Sequence, residues 1–199
     1  LYTFTAPSDG LYVFQSYVTE NAEGTGTHAL VANRYETVNA ISSTSWAKSY
    51  SYRKNDFYKE VELEADDKVV FAVRPSSTVT TAEDKGVTTQ AKISVTKAAA
   101  ATLPEGEITL AKDNKGAARW YMFKAATDDT YKIQAEIVSE TGAADVQYGD
   151  TLAATNNTLS ANKEASKKMQ AGDKLYFKVV NVDTAETKLK LTVNGTESA

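Results

Sequence analysis

The chain has 199 residues, which is about the length of two domains of roughly a hundred residues each. Its formal charge of −4, from 22 basic and 26 acidic residues, provides no basic stripe for a nucleic-acid backbone. The absence of cysteine excludes disulfides, thiolate metal sites and cysteine nucleophiles, and no apolar run is long enough to span a membrane.

The first half of the chain alternates apolar and polar residues, which predicts half-buried antiparallel strands. A PSDG turn joins the first two of these segments. The alternating segments are YTFTA (2–6), LYVFQSYV (11–18), VELEA (61–65), KVVFAV (68–73) and AKISVT (91–96).

An aromatic-rich segment, TSWAKSYSYRKNDFY, occupies residues 44–58. Trp46, Tyr50 and Tyr52 share one parity, which favours a core-facing strand, but Lys48 shares that parity too. Tyr and Trp combine an apolar ring with a polar tip, which suits stacking against a sugar ring. The segment is therefore either core or an exposed aromatic platform.

The stretch KAAAATLPEG (97–106) breaks the alternation and predicts a linker near residue 100. We therefore expect a first domain over 1–97, a linker over 98–104 and a second domain over 105–199. Alternation resumes beyond it, and NKEASKKMQ (162–170) is interpreted as a strand despite its helix propensity. The clearest strands of the second half are EITLA (107–111), YMFKA (121–125), YKIQAEIV (131–138), KLYFKVV (174–180) and KLKLTV (188–193).

The two halves resemble each other residue by residue. LYTFTAPSDGLYVFQ (1–15) aligns without a gap with WYMFKAATDDTYKIQ (120–134), and six of the fifteen positions are identical. ADDKVVFAV (65–73) aligns in the same order with AGDKLYFKV (171–179). The sequence thus predicts an all-β protein of two tandem β-sandwich domains, wired as a jelly roll or Greek key and related by an internal repeat.

The second copy contains GEITLAKDNKGAAR before Trp120, whereas the first begins at Leu1, which aligns with Trp120. We therefore expect the opening strand of the first sandwich to be missing, and the place equivalent to residues 107–112 to be empty or filled by another segment. The chain is then expected to be a piece of a longer protein.

The repeated motifs resemble those of bacterial pre-peptidase C-terminal (PPC) domains. They are W/LYxF, a turn S/T-D-G/D-x-Y and a strand A-G/D-D-K-hydrophobic-x-F-x-V, and they cover Leu1 to Val95 and about Glu107 to Val193. The resemblance implies secreted β-sandwich modules attached to extracellular proteases, glycosidases and adhesins. The carboxylates with which some members bind calcium and collagen have no match here, so no site is carried over.

Catalytic groups are sparse in the sequence. A Ser-His-Asp triad needs a histidine, and the only one is His28, in the loop sequence NAEGTGTH. The paired carboxylates Asp66–Asp67 and Asp128–Asp129 lie at predicted turns, and no DxDxDG-type calcium loop is present. The sequence predicts no enzymatic activity and no cofactor, with a structural calcium ion as the one alternative.

The repeat favours a binding role for the aromatic segment, because residues 151–169 of the second copy contain no aromatic residue. The predicted ligand-binding residues are Trp46, Tyr50, Tyr52, Phe57 and Tyr58. The predicted function is a non-catalytic accessory module of a secreted or cell-surface bacterial protein, binding a polysaccharide such as an α-glucan. The alternatives are a protein-binding adhesin module and a spacer; the expected partners include other domains of a larger parent protein, but no nucleic acid or membrane.

Overall fold

A computed structural model describes residues 2–21, 30–35, 57–75, 89–111, 118–183 and 185–196. The chain divides into two compact units, Leu1–Ala98 (unit 1) and Ala99–Ala199 (unit 2), and each is described by itself. Every helix or strand assigned in the described ranges is a strand, which confirms the predicted all-β class.

Unit 1 contains two three-stranded antiparallel sheets, ordered β1-β5-β3 and β4-β2-β6. Buried side chains from both sheets form its core, including Tyr12 and Phe14 of one sheet and Val69 of the other. The strands are β1 (Tyr2–Thr5), β2 (Gly10–Asn21), β3 (Leu30–Tyr35), β4 (Phe57–Leu63), β5 (Lys68–Pro75) and β6 (Thr89–Lys97).

Unit 2 is a β-sandwich of two larger sheets, ordered β13-β10-β15-β8 and β12-β11-β14-β9-β7. Apart from β7, its eight strands pair as in a jelly roll, with the first beside the last and the chain passing repeatedly between the sheets. The strands are β7 (Ala100–Thr102), β8 (Glu107–Leu110), β9 (Ala118–Lys124), β10 (Asp129–Ile137), β11 (Ala144–Gly149), β12 (Asn157–Thr158), β13 (Glu164–Met169), β14 (Lys174–Asn181) and β15 (Thr187–Gly195).

The alternating sequence explains why these segments form sandwich strands. In β10 the side chains of Tyr131, Ile133 and Ala135 are buried, and the polar residues between them are exposed. Successive side chains of a strand point to opposite faces, so one face of β10 packs on the core and the other faces solvent. Phe177 of β14 reaches the same core from the facing sheet and has no exposed surface.

A tyrosine closes the same corner in each unit. The Tyr12 hydroxyl donates to the Ser8 carbonyl at 2.7 Å, and the Tyr131 hydroxyl donates to the Thr127 carbonyl at 3.0 Å. Such a hydroxyl, bonded to backbone a few residues upstream, is a known corner device of β-sandwiches. Each ring lies 5.2 Å, centroid to centroid, from a phenylalanine of the preceding strand, Phe4 in unit 1 and Phe123 in unit 2.

A second feature of this corner is an aspartate that holds the facing turn. Asp9 Oδ1 accepts a hydrogen bond from the Ala65 amide, and Asp128 Oδ1 accepts one from the Ala171 amide, both at 2.7 Å. The following residue of each facing turn has positive φ, 68° at Asp66 and 91° at Gly172, as expected of Asp and Gly in a tight turn.

The strand registers of the two units correspond. Tyr2 lies opposite Phe71 in unit 1, and Tyr121 lies opposite Phe177 in unit 2. The β2–β4 and β2–β6 pairings of unit 1 match the β10–β13 and β10–β15 pairings of unit 2 in the same way. The aligned sequence segments therefore occupy equivalent places in their sheets.

The structure differs from the sequence-based expectation at the join between the halves. Residues 100–102, within the stretch expected to be a linker, form β7, which pairs in parallel with β9 through Ala100 opposite Trp120. Unit 2 therefore begins with an extra edge strand ahead of its jelly roll.

Candidate functional site

The predicted aromatic site falls largely outside the described residues. Trp46, Tyr50 and Tyr52 lie outside them, as does His28. The backbone of Phe57 and Tyr58 begins β4, opposite Ser16 and Gln15 respectively, while their side chains are not described. The aromatic platform therefore stays a prediction.

A groove in unit 2 is a candidate site among the described residues. It has a volume of about 530 Å³, and we call it the lysine groove. It lies where β13 runs into β14 through a tight turn, beside the end of β11. Its lining residues are Asp150, Lys167, Lys168, Met169, Gly172, Asp173, Lys174 and Tyr176.

The turn between β13 and β14 is held by hydrogen bonds within it and to the neighbouring turn. Asp173 Oδ2 accepts from the Gln170 amide at 2.8 Å, and the Gly172 amide donates to the Ala125 carbonyl at 2.8 Å. The Asp173 carboxylate is therefore used within the turn. This corner gives the groove a preformed wall, which lowers the ordering cost of binding a ligand.

Lys167 stands at a core-facing position of β13. It alternates with Ala165 and Met169, which belong to the core or pack against it, and it lies opposite the buried Tyr131. Its ammonium group forms an ion pair with Asp150, and its side chain is only 27% exposed.

This inward lysine has two interpretations. Because β13 is an edge strand, an inward-pointing charge protects it against edge-to-edge association. The same ammonium also presents a cation to a ligand in the groove. The ion pair with the exposed Asp150 carboxylate leaves room for an incoming anion to compete.

The other two lysines of the groove add cationic groups. Among the described residues, no carboxylate forms an ion pair with Lys168 or Lys174. Three lysines and two aspartates thus line the groove, and one of the aspartates is bonded in the turn. The groove is suited to a ligand that carries acidic groups or many hydroxyls.

Tyr176 supplies an aromatic ring at the groove. On β14 it alternates with Leu175 and Phe177, which have no exposed surface, so it lies on the opposite face of the sheet and is half-buried. In the strand sequence KLYFKVV, Tyr176 is adjacent to the core residue Phe177, and sequence reasoning did not separate the two. Their different parity in the strand is the signal that places Tyr176 on the other face of the sheet.

Trp120 shares the outer face of that sheet. It lies opposite Lys178, whose ammonium is 6.0 Å from the indole centroid. The indole is buried, and its N–H is the one buried side-chain polar group among the described residues that has no hydrogen-bond partner. The indole N–H is enclosed and therefore not placed to contact a ligand.

The matched corner of unit 1 has different chemistry. By the strand registers, Lys167 and Lys168 correspond to Val61 and Glu62, and Tyr176 corresponds to Val70. Val61 is buried and Glu62 is exposed. Lys174, by contrast, corresponds to Lys68. Lys167, Lys168 and Tyr176 are thus specific to unit 2.

Two further properties concern metals and membranes. In the described ranges, no group of three or more His, Cys, Asp or Glu side chains is placed to hold a metal ion. The predicted alternative of a structural calcium ion stays a prediction. None of the described segments is a helix with the length and hydropathy required to cross a membrane.

No family model matches the chain, and no curated protein matches it. The resemblance to PPC domains therefore remains a hypothesis based on the motifs quoted above.

Proposed function

We propose that this protein is a non-catalytic module that binds polysaccharide and belongs to a secreted or cell-surface bacterial protein. We further propose that its two units are copies of one PPC-like sandwich, and that unit 2 carries a binding site of its own. The observation that supports this most directly is the lysine groove, where Tyr176 lies beside three lysines.

The chemistry of the groove favours an acidic polysaccharide. An aromatic ring offers its face to the CH groups of a sugar, and ammonium groups donate to hydroxyls and carboxylates. A charge-assisted hydrogen bond is roughly twice as strong as a neutral one. A chain of uronic acids would use both the ring and the lysines, and its binding would weaken with salt.

Affinity electrophoresis in gels containing polygalacturonate tests this proposal. We expect the wild type to be retarded, and the double variant Lys168→Gln/Lys174→Gln and the variant Tyr176→Ala to lose most of that retardation. The matched control is Lys188→Gln/Lys190→Gln, which removes the same charge from exposed positions on β15. Equal loss in the control would show that net charge, and not the groove, is responsible.

A second gel series tests the predicted aromatic site. A neutral α-glucan would bind by ring stacking on the segment 44–58, with weak salt dependence. We expect Trp46→Ala to abolish retardation by the α-glucan while leaving retardation by polygalacturonate intact. If no neutral or acidic polysaccharide retards the wild type, the polysaccharide proposal is wrong.

A protein-binding role is the second candidate function, and the observation that favours it is the sheet edge at β6. The matched edge in unit 2 is covered by β8. Retention of the protein by a partner polypeptide, with no retardation in any polysaccharide gel, would favour this role. A spacer role would be favoured if the protein bound neither class of ligand.

A further inference from the structure

The outer edge of β6 in unit 1 corresponds to a sheet edge that unit 2 covers with β8. Unit 1 has the order β4-β2-β6, and no strand in the described ranges pairs with the far side of β6. The matched strands of unit 2, β13-β10-β15, continue to a fourth strand, β8. In an eight-stranded jelly roll this place beside the last strand belongs to the first strand.

The register defines this edge of β6 residue by residue. Val18 lies opposite Ala91 in unit 1, as Ile137 lies opposite Leu189 in unit 2. Residues 89–92 of β6 thus correspond to residues 187–190 of β15. All four of those β15 residues pair with β8, in an antiparallel register that sets Leu189 opposite Ile108.

The backbone of β6 presents hydrogen-bonding groups along this edge. The Ala98 amide donates to the Leu11 carbonyl on the β2 side at 2.8 Å. Amides of an antiparallel strand alternate in direction, so the N–H groups of Ala91 and Ile93 face away from β2. These groups are the donors that an added strand would use.

The side chains also indicate what kind of strand fits. Ile108 and Leu110 of β8 are 3% and 2% exposed and belong to the core of unit 2. In unit 1, Ile93 is half-buried, whereas its counterpart Leu191 is 2% exposed. A strand with apolar residues two positions apart would extend the core of unit 1 in the same way.

We infer that the outer edge of β6 binds an extended segment of another polypeptide. The segment adds antiparallel to residues 89–92 and carries apolar side chains at two positions separated by one polar residue, as in EITL of β8. Main-chain hydrogen bonds provide affinity in this mode, and the alternate side chains provide specificity. The inference is independent of the lysine groove, because that groove belongs to unit 2.

A peptide of residues 104–113, PEGEITLAKD, tests the inference when titrated into the full chain. We expect saturable binding, and exchange of the Ala91 and Ile93 amides slowed by about tenfold or more on addition of the peptide. The control peptide replaces Ile108 and Leu110 with Ser, which keeps its length and charge, and it should not bind.

Variants of the protein locate the binding edge. Ala91→Pro removes one outward amide, and proline is tolerated on sheet edges, so we expect the variant to fold and to lose peptide binding. Ala91→Ser is the matched control and should bind as the wild type does. If the variant does not fold, amide exchange in the wild type still shows whether the peptide binds at residues 89–93.

Three results would overturn the inference. The first is an absence of saturable binding, and the second is slowed exchange at amides other than those of residues 89–93. The third is protection of the Ala91 and Ile93 amides without peptide, caused by the chain's own residues or by pairing between two copies, which dilution would reveal.

Discussion

Each unit has an equivalent corner, and the same hydrogen bonds stabilise it in both units. The strand that leads into this corner differs: it carries Val61 and Glu62 in unit 1 and Lys167 and Lys168 in unit 2. The hydrogen bonds satisfy backbone groups, a requirement common to both units. The fold does not require a particular residue at the strand position, because unit 1 has a buried Val61 where unit 2 has the ion-paired Lys167. Where two equivalent corners differ, the difference points to function more directly than the shared features do.

The cores of the two units differ in extent among the described residues. In unit 2 the core includes residues from β8, β10, β14 and β15, whereas the core of unit 1 centres on Tyr12, Phe14 and Val69. The outermost strand of one unit 2 sheet is β8, and it contributes Ile108 and Leu110 to that core. This contrast leads to experiments on matched residues, which are given below from the largest expected effect to the smallest.

The largest effect is expected from truncating Phe177 and Phe71, which lie at matched registers. Phe177→Ala should lower the free energy of unfolding of unit 2 by about 3–5 kcal/mol, because the ring is fully buried. Phe71 lies at the matched register, opposite Tyr2, and the repeat predicts a similar cost for Phe71→Ala in unit 1. Trp120 fluorescence in a Trp46→Phe background follows unit 2 during denaturant unfolding, and Trp46 fluorescence in a Trp120→Phe background follows unit 1. A small loss for Phe71→Ala alone would show that the units use this position differently.

Sequence reasoning located the clearly alternating strands because alternation and turn residues act locally, but it did not identify β3, β7, β11 or β12. The alignment of ADDKVVFAV with AGDKLYFKV sets Asp66 against Gly172, and both residues have positive φ in the structure, which Asp and Gly tolerate in a turn. The groove was not predicted because it depends on which strands meet. Lys167 belongs to β13 and Tyr176 to β14, in different sheets, and only the folded turn brings them together.

A second contrast concerns the end of β11. Gly149 lies opposite Tyr176, and the matched position of unit 1, opposite Val70, is Tyr35. A Cβ at Gly149 would lie 1.8 Å from the Ala154 carbonyl oxygen, so the following loop folds back too closely for any side chain. Gly149→Ala should cost about 1–3 kcal/mol, as is usual for overpacking, measured by the same denaturant unfolding.

The control for this substitution is Gly106→Ala, because a Cβ there would meet nothing within 4 Å. We expect Gly106→Ala to leave the unfolding midpoint nearly unchanged. If both variants lose the same stability, the close approach at Gly149 is not the cause.

The tyrosine corner provides a smaller, paired effect. Tyr12→Phe and Tyr131→Phe each remove one hydroxyl that donates to a backbone carbonyl, at 2.7 Å and 3.0 Å respectively. The ring remains in both variants, so each should cost only about 1 kcal/mol, the usual net value of one hydrogen bond. Thermal unfolding measures the stability loss of each variant. A loss as large as that of a core truncation would show that the hydroxyl stabilises more of the unit than this corner.

The smallest effect is expected from exchanging the positive-φ residues of the two turns. Asp66→Gly relieves the cost of holding a residue with a Cβ at φ 68° but increases the entropy of the unfolded chain, and the two terms nearly cancel. For Gly172→Asp the two terms have the opposite sign: the positive φ costs energy, and the lower entropy of the unfolded chain stabilises. A Cβ there meets nothing within 4 Å, so no steric clash adds to this cost. We expect both changes to alter the free energy of unfolding by less than about 1 kcal/mol, whereas Gly172→Val should cost more because a β-branched residue is a genuine outlier at positive φ. Calorimetric scans of the three variants measure these differences. A loss of several degrees for Gly172→Asp would mean that the two turns are not interchangeable, and that the corner of unit 2 needs glycine for a reason beyond its backbone angle.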